Sequence, residues 1–358
     1  MLNSQKINKI AVLRALQLGD LLCAVPALRA LRQRFPQSEI SLIGLPWSKE
    51  FVQRFHMYVD HFIEFPGFPS LPEREPDMNM FPEFIRQCRE KHFDLVIQMH
   101  GNGIILNALL PLLNSRLTAG FFKNEIFAPE NDTFMSWPEQ GHEIHRLLKL
   151  MEFLGIPSQG DALEFPVCQN DTDTLNHIFT REKISFNRFV CVHPGAQVPA
   201  RRWSHERFAA VADRIYRKGY NIVFTGSAHE RALISKISSL MRYPSYNLAG
   251  KTSLGSLAVL LSRSSLLIGN DTGVSHIAAA MKTPSVIIVT GSDPERWRPL
   301  DQYLHQALFT SIDCRPCAYQ ICPFKQPCSL SITVDKVLRC ADKFLENIPK
   351  RKGIKCAH

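Results

Sequence analysis

The chain has 358 residues, of which 45% are hydrophobic and 21% charged. These proportions fit a soluble globular protein of about two domains and exclude disorder, collagen and coiled coil as the main state. Lys and Arg outnumber Asp and Glu by 42 to 33, and this +9 balance favours acidic partners, whether nucleotides, phosphates, anionic lipid or nucleic acid, without choosing among them.

From the N-terminus, MLNSQKINK lacks the apolar core of a signal peptide, so the expected location is cytoplasmic. Residues 9–13 (KIAVL) suit a buried parallel strand. After Gln17-Leu18-Gly19 a helix is expected to start near Asp20, with Leu21, Leu22, Val25, Leu28 and Leu31 at helical spacing and Pro36 closing it. Residues 39–45 and 93–99 read as further strands, and the Pro- and Met-rich stretch 65–82 as a long loop or flap. The longest apolar run, 104–113, is interrupted by Asn107 and Pro111 and falls far short of the roughly 20 residues that span a bilayer. Residues 142–155 form a helix, and Pro157, Gly160 and a polar run at 169–173 mark a boundary.

The alternation then restarts. Strands are expected at 189–193, 221–225, 246–249, 266–268 and 285–290. Helices are expected at 204–218 with Ser204 as cap, at 229–241, at 253–264 and at 274–281. An amphipathic helix at 333–348 precedes a basic tail of Lys350, Arg351, Lys352 and Lys355. This pattern predicts an α/β protein of two doubly wound units. Their expected spans are 1–165 and 166–330, followed by the helix and tail at 331–358.

Several strand-to-helix junctions carry polar residues where open α/β sheets bind ligands. Asp20 stands at the first, although helix capping alone also accounts for an Asp there. His193-Pro194-Gly195-Ala196 followed by Arg201-Arg202-Trp203 offers backbone N–H groups and two guanidiniums to an anion, or is a solvated basic loop beside a core Trp. Gly269-Asn270-Asp271-Thr272-Gly273, with Ser275 and His276, has the composition of a phosphate nest at a helix N-terminus, with Asn270 and Asp271 available to sugar hydroxyls. Caps and turns use the same residue types. Gly226-Ser227 with Glu230 repeats the geometry, with a carboxylate for ribose hydroxyls.

Other matches fail. Ala249-Gly250-Lys251-Thr252 resembles the end of a Walker loop, but Ser245 stands where its first glycine is required. His142 and His145 are three apart rather than the four of a helical zinc protease, and no G-x-S-x-G or G-x-G-x-x-G occurs. No nucleic-acid motif accompanies the basic surplus.

Taken in order, LGDLLCAVPALRAL, HPGAQVPARRWSHERFAAVA, GSAHE, LAGKTSL and GNDTGVSHIAAAM resemble glycosyltransferase family 9, the bacterial ADP-heptose:lipopolysaccharide heptosyltransferases. The resemblance runs from about Ile10 to Val337. It implies the GT-B architecture, two Rossmann-like domains facing a central cleft, and inverting sugar transfer without a metal or other cofactor. It makes Asp20 the general base and places Gly195, Arg201, Arg202, Glu230, Asn270, Asp271, Thr272, Gly273 and His276 at the donor. Glu230 would take the ribose, Asp271 the sugar, and Thr272, Gly273 and His276 the diphosphate. The family usually has Lys where Arg201 stands, a change of reach at constant charge. The implied partners are ADP-heptose and a lipid-linked or oligosaccharide acceptor of the lipopolysaccharide core, with peripheral contact at the inner membrane and no nucleic acid. The alternatives are another nucleotide sugar, another glycan or protein acceptor, or a non-catalytic nucleotide-sugar binder on the same fold.

Two features stand outside the motifs. Arg29, Arg32, Arg34, Lys49 and Arg54 are candidates for a membrane-facing surface or a solvated helix face. Cys314, Cys317, Cys322 and Cys328 crowd into fifteen residues as C-x₂-C-x₄-C-x₅-C. Packed free thiols are the preferred reading, with a four-thiolate metal cage or a disulfide as alternatives.

Overall fold

The computed structural model describes residues 6–123, 132–185, 188–317 and 319–346. The chain divides into two compact units, Met1–Leu163 and Glu164–His358. The first contains strands β1 (Lys9–Leu13), β2 (Glu39–Gly44), β3 (His61–Glu64), β4 (Leu95–Gln98), β5 (Leu117–Phe122) and β6 (Phe134–Ser136). They form one parallel sheet in the order β3-β2-β1-β4-β5-β6. The second contains β7 (Phe189–His193), β8 (Asn221–Phe224), β9 (Tyr246–Asn247), β10 (Leu266–Asn270), β11 (Ser285–Ile288) and β12 (His305–Leu308). Their parallel order is β12-β11-β10-β7-β8-β9.

Each sheet is wound the same way: three strands progress in one direction, and the next three return past the first. That is the Rossmann order, and it puts a switch point between β1 and β4 in one unit and between β7 and β10 in the other. The central strands are covered on both faces, which is why KIAVL and LLIGN read as nearly continuous apolar runs. Edge strands β3 (HFIE), β6 (FMS) and β12 (HQAL) are three or four residues long and mixed in polarity, so neither signal marks them in the sequence. The stretch before the helix Phe81–Lys91 carries no regular element. Arg74 anchors it through Glu64 at 2.8 Å and the Phe65 carbonyl at 2.7 Å.

In the second unit, Trp203 is fully buried, donates its indole N–H to the Ile332 carbonyl at 2.9 Å, and meets Phe208 edge-on at 5.0 Å. The last helix, Val334–Glu346, inserts Val337, Leu338, Ala341 and Leu345 into that same core. Ile348 and the basic tail lie outside the described residues.

The first helix spans Leu18–Arg34 and begins two residues earlier than expected. Its N-cap is Gln17, which makes no side-chain capping bond, and Leu21 closes the first turn onto the Gln17 carbonyl. Asp20 is therefore the third helical residue rather than the cap.

Arg14 fixes this junction. Its side chain is fully buried at the end of β1, where Nε donates to the Asp20 carbonyl at 2.9 Å and Nη1 to the Met99 carbonyl just beyond β4. Nη2 pairs with Glu143 Oε1 at 3.0 Å, at the start of the helix Glu143–Phe153. The second oxygen of Glu143 accepts from Arg146, whose guanidinium lies 4.5 Å over the Trp137 ring. One carboxylate thus serves two buried guanidiniums. Removing one partner of a buried ion pair strands the remaining charge and costs about 3–5 kcal/mol. Glu143→Ala is expected to lower the unfolding free energy extrapolated from urea titration by that much at neutral pH; an unchanged urea midpoint would show that the network carries no stability.

Candidate functional site

The carboxyl ends of the four inner strands of the second sheet bring the expected residues together. The loop after β7 carries Gly195 and runs to the short turn Pro199–Arg201. The loop after β8 carries Ser227 and Glu230, and the end of β10 leads through Asp271 and Thr272 into the helix Gly273–Ala280. The loop after β11 brings Gly291 and Ser292.

Asn270 is the joint between two of these loops. It is fully buried, its Oδ1 accepts from Trp203 N–H at 3.1 Å, and its Nδ2 donates to the Pro194 carbonyl at 2.7 Å. Both ends of its amide are thus committed to protein groups. Gly195 is needed for close approach: a Cβ there would stand 1.9 Å from Glu230 Oε1. The other carboxylate oxygen of Glu230 accepts from Ser227 N–H at 2.7 Å and Ser227 Oγ at 3.0 Å, a capping box. His193, hydrogen-bonded to Thr225 Oγ1 at 3.0 Å, is pushed below its usual pKa by burial, which the nearby Glu230 charge only partly offsets. Arg202 turns back and donates from Nε to the Ala196 carbonyl at 2.8 Å, so it braces the loop.

Arg201 and Asp271 belong to a cluster with a different character, in which the Arg201 charge acts on the Asp271 carboxyl. The Asp271 carboxyl accepts a hydrogen bond from Ser292 Oγ. Burial pushes its pKa up, and this outweighs the downward pull of Ser292, Arg201 and Arg315. Arg201 Nη2 donates to the Cys317 carbonyl at 3.3 Å, while its buried Nε meets no acceptor. Thr272 Oγ1 is buried without a partner at the head of the helix that continues to buried His276. Buried polar groups in native structures are nearly always paired, so an orphaned set of donors needs an explanation. An anion supplies one.

In the first unit, Asp20 is half-buried in the first turn of its helix at the carboxyl edge of β1. Across the switch point His100 follows β4. Its Nδ1 accepts from Ala15 N–H at 3.2 Å, and its Nε2 lies 3.7 Å from Glu73 of the long loop. Burial raises the Glu73 carboxyl, but its contacts with His100 more than offset this and leave it below the usual range. The motif reading missed this pair because its partners are 27 residues apart and no periodicity links them.

The proposed basic face is largely occupied within its own unit. Arg29 donates to the Gly160 and Ala162 carbonyls, Arg32 pairs with Asp60 at 2.6 Å, and Arg54 lies 3.9 Å from Glu50. No helix among the described residues is long and apolar enough to cross a membrane. Cys314, Cys317, Cys322 and Cys328 are free thiols, and Cys328 is buried. Among the described residues, no group of three or more His, Cys, Asp or Glu side chains is arranged to hold a metal ion.

Asp271 generates a pH-dependent test. Its raised folded pKa means that the unfolded chain ionises first as pH rises, so the native aspartate costs stability above about pH 4. Asp271→Asn removes that ionisation. Its melting temperature relative to wild type should climb from pH 4 to pH 7, and a pH-independent difference would contradict the assigned burial effect.

The profile of glycosyltransferase family 9 (heptosyltransferase) matches residues 82–327. The lipopolysaccharide core heptosyltransferase OpsX of Haemophilus influenzae is 23% identical over 302 residues, 82% of each chain. The crystal structure of a family 9 glycosyltransferase from Veillonella parvula superposes with a TM-score of 0.81 at 22% identity, covering 97% of this chain and 100% of that one. The Escherichia coli ADP-heptose lipopolysaccharide heptosyltransferase II gives 0.74 at 22% identity, covering 94% and 98%. With its two Rossmann-like domains the chain has the GT-B fold, and it belongs to glycosyltransferase family 9 as a glycosyltransferase.

Proposed function

We propose that this protein transfers a heptose from ADP-heptose to an acceptor of the lipopolysaccharide core, with inversion and without a metal. The observation that carries this reading is the cationic, donor-rich cluster of Arg201, Asp271 and Thr272 at the switch point of the second sheet. A nucleotide-sugar diphosphate supplies the acceptor oxygens that these N–H and O–H groups lack. The Escherichia coli and Haemophilus influenzae relatives carry ADP-heptose and the lipopolysaccharide core in their names, and that is the basis for the donor and acceptor proposed.

In this reading the acceptor hydroxyl oxygen attacks the anomeric carbon of the donor. The carbon–oxygen bond to the diphosphate breaks, and the departing ADP keeps the electron pair. The hydroxyl proton passes to the Asp20 carboxylate, which serves as general base. The cations and the helix N-terminus take up charge on the leaving group, a task metals perform elsewhere. Asn270 and Arg202 are positioning residues, because their polar atoms hold the loop that carries Gly195. Glu230 keeps Oε1 beside Gly195 for a ribose hydroxyl. An acceptor with a lipid anchor would bring the enzyme to the cytoplasmic face of the inner membrane as a peripheral protein.

Three measurements test this. ADP should raise the melting temperature more than UDP or GDP; at 100 times its dissociation constant a ligand stabilises by about 2.7 kcal/mol. Asp20→Asn should retain ADP affinity and lose turnover by roughly 10²–10⁴-fold, the usual share of general-base catalysis. Near-normal turnover in that variant rejects Asp20 as the base. EDTA should leave the rate unchanged, and a strict requirement for magnesium or manganese rejects the metal-free mechanism.

A further inference from the structure

Arg315 belongs to none of the motifs, yet its side chain enters the same cluster. It lies beyond β12, at the head of the cysteine-rich segment, and that segment folds back over the end of β11. Cys317 N–H donates to the Gly291 carbonyl at 2.7 Å, and Ala200 N–H donates to the Gln320 carbonyl at 3.1 Å. Gly291 leaves room for this approach, since a Cβ there would crowd Cys317 Cβ at 3.0 Å and Arg201 Cγ at 3.1 Å.

The Arg315 guanidinium, 5.8 Å over the Phe309 ring, is hydrogen-bonded at one end only. Nη2 donates to the Val289 carbonyl at 3.1 Å and the Thr290 carbonyl at 2.9 Å. Its Nε and Nη1 are buried without an acceptor. Burial pulls its pKa down, against the charges of Cys328, Asp293, Cys314 and Asp271. Beside it, Thr290 Oγ1 is also buried and unpartnered. Every orphaned buried side-chain polar atom of the second unit, among the described residues, lies on Arg201, Thr272, Thr290 or Arg315. Those orphans share their cluster with a single carboxyl, that of Asp271, so two guanidinium charges outweigh it.

We infer that Arg315 is a second guanidinium of the donor site, which clamps the diphosphate of the nucleotide sugar together with Arg201. The inference rests on the proposed donor reading. Five orphaned donors exceed the needs of a single phosphate and suit a diphosphate, whose two linked groups offer oxygens on both sides. The carbonyls of Val289 and Thr290 hold the guanidinium in place before the ligand arrives, so little side-chain entropy is lost on binding. The cysteine-rich segment then has a defined part, since it carries Arg315 and buttresses Arg201 through the Cys317 carbonyl.

Titration calorimetry with ADP and AMP tests this on the wild-type chain, Arg315→Gln and Arg315→Lys. Arg315→Gln should lose ADP affinity by about 10- to 100-fold, the usual loss for a charge-assisted hydrogen bond, and AMP affinity by much less. Arg315→Lys should fall between the two, because it keeps the charge but not the fork. Equal ADP affinity in Arg315→Gln and wild type overturns the inference, and so does a parallel loss of ADP and AMP. If Arg315→Gln does not fold, the ADP-to-AMP ratio of Arg315→Lys decides, and a wild-type ratio overturns the inference. Failure of wild-type protein to bind ADP overturns the donor reading instead, which separates the two outcomes.

Discussion

The winding of each sheet is the constraint on which the rest depends. Parallel strands need crossovers, and right-handed crossovers place successive helices on one face until the strand order reverses. At the reversal, neighbouring loops leave in opposite directions and open a crevice above the strand ends. Both units reverse after their third strand, so β1 and β4 flank one crevice and β7 and β10 flank the other. Asp20 and His100 follow the first pair, and Gly195 and Asp271 follow the second. Topology alone delivers chemically unrelated side chains to equivalent places.

The two crevices handle buried charge in opposite ways. In the first unit Arg14 spends all three nitrogens on the Asp20 carbonyl, the Met99 carbonyl and Glu143, and Glu143 also serves Arg146. That network is closed, and its effect is mechanical: it ties β1, β4, the first helix turn and the helix Glu143–Phe153 to one point. The cluster around Asp271 is open, with donors on Arg201, Thr272, Thr290 and Arg315 lacking acceptors. An unsatisfied buried polar group costs about 1–3 kcal/mol, and such a set persists only where surrounding structure holds it. The anchors are visible in the carbonyls of Cys317, Val289 and Thr290. A closed network stabilises the fold; an open one leaves binding capacity for a ligand.

The sequence revealed what local rules control. Central strands are buried on both faces and therefore read as apolar runs, so the alternation and the α/β class were legible from KIAVL, FVCVH and the LLI that begins β10. Ser204 was legible as a cap because its hydroxyl accepts from Arg207 N–H at 3.3 Å, three residues on. The edge strands β3, β6 and β12 were not legible: their identity comes from a neighbour, as when His305–Leu308 pairs with Ser285–Ile288, whereas the fourth edge strand, β9, falls inside the expected 246–249. Asp20 misled for a related reason. Residue preference pointed to a cap, yet the helix starts at Leu18, where the chain leaves the turn anchored by Arg14.

Among the site residues, the same divide separates motif from partner. The run GNDTG was readable as a ligand-facing junction, but nothing in it says that Asn270 turns both ends of its amide toward Pro194 and Trp203. That commitment follows from β10 and β7 being hydrogen-bonded neighbours, which sets the loop after one beside the loop after the other. Residue type thus gives the chemistry a side chain is capable of, and strand order decides which partner meets it first. The amide of Asn270 is committed to the neighbouring loop, whereas the Nε of Arg201 in that loop meets no protein acceptor. The distinction between positioning and binding within one site lies in that difference, and only the three-dimensional arrangement of partners exposes it.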